Sequence, residues 1–269
     1  MNYRHAYHAG NHADCLKHAL LVWLLRSLAR KPAAATVLDT HAGIGAYDLT
    51  GPEALATGEW HDGIARLWAA NPPALAEYLS LAPPGPTYPG SPDLIRACLR
   101  PHDRLICCEL HATDAAALRR HCRADPRVAV HHRDGYEAVR ALLPPASRRG
   151  LVFIDPPYER ADEYETLVAA LAVARHRFAA GSLAAWVPIK HMAPVNALRH
   201  EIATRFTDAL AVSLWRQPPT DPTRLAGSLL LVLNPPYGFE SAAAAIVAAL
   251  VPVLAGPGGG GLVERWAEE

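Results

Sequence analysis

The sequence is poor in several features that would assign it a class at once. It has only five cysteines, Cys15, Cys98, Cys107, Cys108 and Cys122, an odd set without a Cys-x-x-Cys pair. Neither a disulfide framework nor a zinc ribbon is therefore expected, and a reducing cytoplasm is the expected compartment. There is no charge excess, since 26 Lys and Arg balance 26 Asp and Glu. That excludes a protein held on nucleic acid by a general positive field and leaves any such contact to a local patch. Long apolar runs are missing too: residues 19–25 and 242–254 are too short or too interrupted to span a bilayer. Residues 1–10 are rich in Tyr, Arg and His and lack the apolar run of a secretion signal.

What is present is a globular composition, 51% apolar and 19% charged, over a length that suits one large domain with a small insert or two modest domains. Residues 35–39, 104–109, 127–131, 150–155 and 182–188 are apolar runs bounded by turn or polar residues, the pattern of buried parallel strands. Ala- and Leu-rich segments such as 113–123 and 164–174 lie between them and suit helices. The alternation predicts an α/β, doubly wound sheet. Residues 207–215 and 226–233 then read as an antiparallel hairpin at the sheet edge, joined by a Pro-rich turn. Residues 50–100 interrupt the strand rhythm and read as a small helical insert, which divides the chain into 1–49 plus 101–269 and the insert. The tail at 256–261 reads as flexible from its glycines.

The first strand ends in Asp39-Thr40-His41-Ala42-Gly43-Ile44-Gly45, so backbone can approach a ligand closely at its carboxyl end. Tyr47 and Asp48 stand where a dinucleotide fingerprint has its third glycine, so that fingerprint is incomplete. The second strand ends in Glu109, suited to two ribose hydroxyls. The third leads to Asp134-Gly135, where an adenine amine could be held. Three acidic strand tips in order favour S-adenosyl-L-methionine, because they suit an amine, a ribose and an adenine and cradle no phosphate.

The fourth strand runs into Asp155-Pro156-Pro157-Tyr158. An exocyclic base amine is a poor nucleophile, its lone pair being delocalised into the ring. The Asp155 carboxylate and the rigidly held Pro156 carbonyl can accept its two protons and return electron density to nitrogen. Tyr158 can stack on a base that is single-stranded or flipped out. A second copy, Asn234-Pro235-Pro236-Tyr237, follows a strand that the hairpin makes antiparallel. It is expected at the opposite sheet edge, as a strand-exit turn.

With these motifs in place the chain resembles the RlmJ family of 23S ribosomal RNA adenine-N6 methyltransferases. The likeness rests on the opening run from Tyr3-Arg4-His5-Ala6-Tyr7-His8 to Asp14-Cys15-Leu16-Lys17-His18, on Leu38-Asp39-Thr40-His41-Ala42-Gly43, Tyr88-Pro89-Gly90-Ser91-Pro92 and Ser147-Arg148-Arg149-Gly150-Leu151, and on the Asp155 tetrapeptide. It implies a class I (Rossmann-like) S-adenosylmethionine-dependent methyltransferase fold with a mostly parallel seven-stranded sheet and a helical insert. It also implies cofactor contacts at His18, His41, Ser91, Glu109, Asp134 and Gly135, a catalytic Asp155 and an RNA contact at Tyr3. To these the residue reading adds Asp39 and Gly43 for the cofactor and Pro156 and Tyr158 for catalysis. The chain departs from the family pattern near Arg224-Leu225-Ala226-Gly227 and in its tail.

His5, His8, His12 and His18 lack carboxylate or thiolate companions at regular ligand spacing, so no metal is expected. A helix beginning near Asn11 would set Asp14 and His18 one turn apart. Arg4, Lys17, Arg160, Lys190 and His191 sit in segments that could border the crevice and are candidates for phosphate contacts. Arg148 and Arg149 should be solvated at the far edge. The expected partner is 23S rRNA, with no membrane, and the expected state is a monomer. DNA adenine methylation and an inactive RNA-binding protein on the same fold are the competing readings.

Overall fold

The computed structural model describes residues 4–267. Its strands are β1 Thr36–Asp39, β2 Ala46–Asp48, β3 Thr87–Pro89, β4 Arg104–Glu109, β5 Val128–His132, β6 Gly150–Ile154, β7 Ser182–Ile189, β8 Ala209–Trp215, β9 Gly227–Leu233 and β10 Gly260–Ala267. Eight of them form one sheet in the order β10-β8-β9-β7-β6-β1-β4-β5, while β2 and β3 pair separately. β9 and β10 run against the others. From β1 the chain winds outward first through β4 and β5, then back through β6 and β7. The carboxyl ends of β1, β4 and β6 therefore meet at a topological switch point, the usual place for a ligand in such sheets.

Strand residues alternate between two cores, as the twofold pleat requires. Val37, Leu105, Leu151 and Phe153 pack with Leu16, Leu20, Leu94, Leu118 and Phe239 on one face, while Leu38, Val152 and Ile154 pack with Val139, Leu171 and Leu198 on the other. Helices His12–Ala29, Ser91–Cys98, Ala112–Cys122 and Phe239–Leu254 thus cover the first face, and Gly135–Leu142, Glu163–Arg177 and Met192–Arg205 the second. The Asn11 side chain caps the first helix by accepting from Ala13 N and Asp14 N, so it starts where the sequence suggested. Thirteen of its eighteen residues are buried, which makes it a core helix rather than an amphipathic surface one.

The sheet departs from expectation in two ways. It has eight strands, not seven, because the tail continues into β10 alongside β8 and buries Trp266. Close approach explains the tail's glycines: a Cβ at Gly259 would stand 2.5 Å from the Arg216 carbonyl, and one at Gly261 would stand 2.4 Å from Val247. The loop after β1 also leads into a strand: β2 pairs with β3 across Tyr47 and Tyr88. Residues 50–100 otherwise form short helices, whose Leu67, Leu75 and Tyr78 join the same core as the helix His12–Ala29. Among the described residues no helix is long and apolar enough to cross a membrane.

Candidate active site

A cleft of about 1290 Å³ opens along the carboxyl edge of β1, β4, β6 and β7, bordered by the start of the first helix and by the β8–β9 connection. This exceeds the roughly 300–1,000 Å³ of a pocket for one small ligand.

At one end lie Glu109, Asp134 and the backbone that holds them. Gly43 adopts φ +61, and its N–H donates to Glu109 Oε2 at 2.9 Å, while the N–H of His111 donates to Oε1 at 2.8 Å. The carboxylate is thereby fixed with lone pairs to spare for two hydroxyls; burial pushes it above the ordinary range against those two N–H groups. Asp134 caps the helix Gly135–Leu142 through Oδ1, which accepts from Tyr136 N and Glu137 N, and its Oδ2 makes no bond among the described residues. A Cβ on Gly135 would sit 2.3 Å from the Thr40 carbonyl, so this close packing demands glycine. Thr40 Oγ1 donates to Phe153 O, so its contact with His41 Nδ1 at 2.8 Å takes the proton from His41. Burial lowers His41 to about 4, leaving a neutral ring at pH 7 whose Nε2 is an acceptor. His18, lowered to about 3 by burial, bonds Tyr88 through Nδ1 at 2.7 Å.

Asp39 does not line the cleft. It is fully buried behind Ser91, whose Oγ donates to Oδ2 at 2.7 Å, while Oδ1 is buried without a partner among the described residues. Burial pushes its carboxyl up to about 7, opposed by the Ser91 bond. Asp39 was expected among the cofactor-binding residues, but it is Ser91, bonded to it, that lines the wall.

At the centre Asp155 leaves the end of β6. Lys17 Nζ donates to Asp155 Oδ2 at 2.6 Å and pairs with Asp14 Oδ1 at 2.7 Å. Asp14 Oδ2 in turn receives Gly10 N and contacts His5 Nε2, both at 2.9 Å. Lys17 is only 3% exposed. Burial pulls its pKa down, but the two carboxylates outweigh that and hold it above the ordinary lysine range. Burial likewise opposes the charge of Asp14, yet His5 and Lys17 keep it well below the usual carboxylate range. Lys17, expected at a phosphate, is instead committed to these two acids. Asp155 Oδ1 makes no bond among the described residues, and the Pro156 carbonyl accepts no backbone bond.

Tyr158 holds φ +52, a left-handed conformation that a bulky residue adopts at a cost of about 1–3 kcal/mol. Its hydroxyl donates to Trp186 O at 2.8 Å, and its ring packs against Tyr164 and Trp186. Trp186 also lies 5.6 Å under Lys17 Nζ. The cleft therefore gathers His18, His41, Gly43, Ser91, Glu109, Asp134, Gly135, Asp155, Pro156 and Tyr158, together with Arg4, Lys17 and Lys190. Tyr3 lies outside the described residues. His191 caps the helix Met192–Arg205, and Arg149 donates to the Ala33 carbonyl at 2.7 Å instead of being solvated. Sequence reading missed Trp186, which looks like one more core residue of a strand, and the role of Lys17, whose partner is 138 positions away. It also missed Glu163, a 2%-exposed carboxylate that accepts from Tyr136 Oη at 2.8 Å.

The second tetrapeptide stands at the other edge. Asn234 follows Leu233, which pairs with Leu183 at the beginning of β7.

With three acidic side chains and an Asp-Pro-Pro-Tyr corner opening on one edge of a doubly wound sheet, the fold and the relatives below make the chain a class I methyltransferase. The family model described as ribosomal RNA large subunit methyltransferase D, RlmJ, matches residues 32–267, and the chain belongs to that family. It is 39% identical over 249 residues to ribosomal RNA large subunit methyltransferase J of Escherichia coli K12, covering 89% of each chain. To the protein of the same description from Haemophilus influenzae it is 36% identical, covering 99% of this chain and 98% of that one. A crystal structure of a Legionella pneumophila protein superposes with a TM-score of 0.89 at 33% identity, covering 96% and 98% of the two chains. A probable spermidine synthase from Corynebacterium glutamicum, at 12% identity and a TM-score of 0.52 over 93% and 74%, shares the fold alone.

Proposed function

We propose that this protein transfers the methyl group of S-adenosyl-L-methionine to the N6 amine of an adenine in 23S ribosomal RNA. The observation that carries this reading is the free Asp155 Oδ1 beside the unbonded Pro156 carbonyl, in the same cleft as Glu109 and Asp134.

The cofactor supplies an electrophilic methyl carbon on a sulfonium. Glu109 would receive its ribose hydroxyls, Asp134 Oδ2 its adenine amine, and Ser91 and His18 its amino-acid end; the narrow turns at Gly43 and Gly135 let backbone come close. Asp155 Oδ1 and the Pro156 carbonyl would take the two N–H bonds of the target amine, which favours the pyramidal form with its lone pair on nitrogen. Lys17 occupies Oδ2, so it fixes the plane of the carboxylate and leaves one oxygen for substrate. After transfer the nitrogen carries an extra proton, which Asp155 or water removes. Holding donor and acceptor in line supplies much of the remaining acceleration. Tyr158, Trp186 and Pro188 offer apolar walls for an unstacked base. Arg4 and Lys190 would meet RNA phosphates, and Tyr3 is assigned to the substrate by family likeness.

The test is tritiated methyl transfer to unmodified 23S rRNA followed by nucleoside mass spectrometry. Label is expected in N6-methyladenosine; folded, donor-bound protein that transfers nothing would sink the reading.

A further inference from the structure

The floor of the cleft is acidic, with Glu109, Asp134, Asp155 and Glu163 along it, and the chain as a whole is neutral. A polyanionic substrate is therefore repelled unless cations at the mouth compensate. The cleft-lining cations fall into two sets. Lys17 is paired with Asp14 and Asp155, Arg160 with Asp162 at 2.7 Å, and Arg216 with Asp62 at 3.2 Å. Arg4, Lys190 and Arg224 are exposed and make no side-chain hydrogen bond or ion pair among the described residues. Asp221, which feels the charge of Arg224, bonds instead to Thr223 N at 2.9 Å and Thr223 Oγ1 at 2.6 Å.

These three cations come from separate parts of the chain. Arg4 precedes the first helix, Lys190 follows the carboxyl end of β7, and Arg224 lies in the connection between β8 and β9. One exposed arginine is ordinary solvated surface. Three uncommitted cations that converge from three segments on the mouth of one acidic cleft match a ribose-phosphate strand running past a flipped base.

We propose that Arg4, Lys190 and Arg224 form a three-point rim that grips the phosphates flanking the target adenine, which makes the β8–β9 connection a substrate-contacting element. This rests on the RNA reading above, which already sets Arg4 and Lys190 at phosphates, and adds to it Arg224 and the β8–β9 connection.

Phosphate contacts leave a signature that structural roles do not. For single strands, log affinity falls with log salt at a slope of about −0.7 per contact, so each single alanine variant should flatten the salt dependence of kcat/KM by about 0.7 and the triple variant by about 2. Between roughly 50 and 200 mM salt the wild type should lose about 18-fold more kcat/KM than Arg4→Ala/Lys190→Ala/Arg224→Ala. Arg123→Ala is the control, an exposed arginine without a side-chain bond that follows the helix Ala112–Cys122, at the opposite sheet edge. It should leave the slope unchanged, and calorimetry should find unaltered donor affinity in every variant. A triple variant with the wild-type slope, or an Arg123→Ala slope flattened as much as Arg224→Ala, overturns the rim while wild-type turnover on RNA preserves the functional reading. No transfer by the wild type overturns both.

Discussion

The molecule contains two Pro-Pro-Tyr corners, and they differ in almost everything but their letters. Asp155-Pro156-Pro157-Tyr158 leaves a parallel strand at the edge where β1 and β4 also end, with an acceptor oxygen unengaged and a lysine on the other. Asn234-Pro235-Pro236-Tyr237 leaves an antiparallel strand at the opposite edge, and three polar groups of its Asn234 are engaged locally. Asn234 Nδ2 donates to Gly181 O at 3.1 Å, its carbonyl accepts from Ser182 Oγ at 2.8 Å, and its N–H donates to Asp208 O. The positive φ also moves: it is Tyr158 in the first corner and Asn234 in the second, and asparagine tolerates that conformation far better. Strain sits where the cleft is, and the other corner is a relaxed turn. A tetrapeptide therefore acquires chemistry from the direction of the strand that delivers it.

The largest expected effect tests that statement directly. Asp155→Ala should lower kcat by at least the factor of about 10²–10³ typical of losing one aligned hydrogen-bonding group, with donor affinity nearly unchanged. Asn234→Ala should leave kcat within about twofold of wild type, a spread expected of a site remote from the chemistry. The exchange variant Asp155→Asn/Asn234→Asp, which swaps the first letters of the corners, should show the deficit of Asp155→Asn alone. Rescue by the second mutation would break the comparison. Next comes the buried charge that distinguishes the first corner. Lys17→Met leaves Asp14 and Asp155 facing each other without their shared cation, and removing one partner of a buried pair costs roughly 3–5 kcal/mol. The lower part of that range is expected, because Asp14 keeps Gly10 N and His5. A urea midpoint unchanged from wild type would remove the lysine from the support of this corner.

At the second corner the effects belong to stability alone. Asn234→Ala loses the bond to Gly181 and places alanine at φ +52, together about 2 kcal/mol. Asn234→Gly loses the bond but not the backbone tolerance and should recover about half of that. If the glycine variant is as unstable as the alanine one, backbone conformation is not what asparagine supplies there.

Much of this contrast was legible in the sequence. Continuous apolar runs ending in Asp39, Glu109 and Asp155 gave parallel strands, with Glu109 and Asp155 at tips that line the cleft, and the hairpin between 207 and 233 sent Asn234 to the far edge. The first helix begins near Asn11 as expected, with Asn11 as its cap. What stayed hidden depends on contacts distant in sequence: Lys17 meeting Asp155, Asp39 withdrawn behind Ser91, and Tyr47 pairing with Tyr88 to divert the glycine turn into a strand. Strand β10 was missed for another reason. Its glycines permit close packing against Arg216 and Val247, and composition alone cannot separate that use of glycine from flexibility.

The smallest effects come from the two tyrosines, and they sharpen the comparison because the residue type is identical. Tyr158 Oη donates to Trp186 O at 2.8 Å within a cluster of three aromatic rings, whereas Tyr237 is 99% exposed. Removing one buried hydroxyl that is hydrogen-bonded costs about 1 kcal/mol, so Tyr158→Phe should lower stability by that amount. Because the ring stays, a stacking wall for the base survives, and kcat should fall only severalfold. Tyr237→Phe changes a hydroxyl already in water and should stay within about 0.5 kcal/mol of wild type with unchanged kcat. Equal stability losses in the two variants, read from matched denaturation curves, would mean that the aromatic cluster does not anchor the first corner and that the two corners differ less than their surroundings indicate.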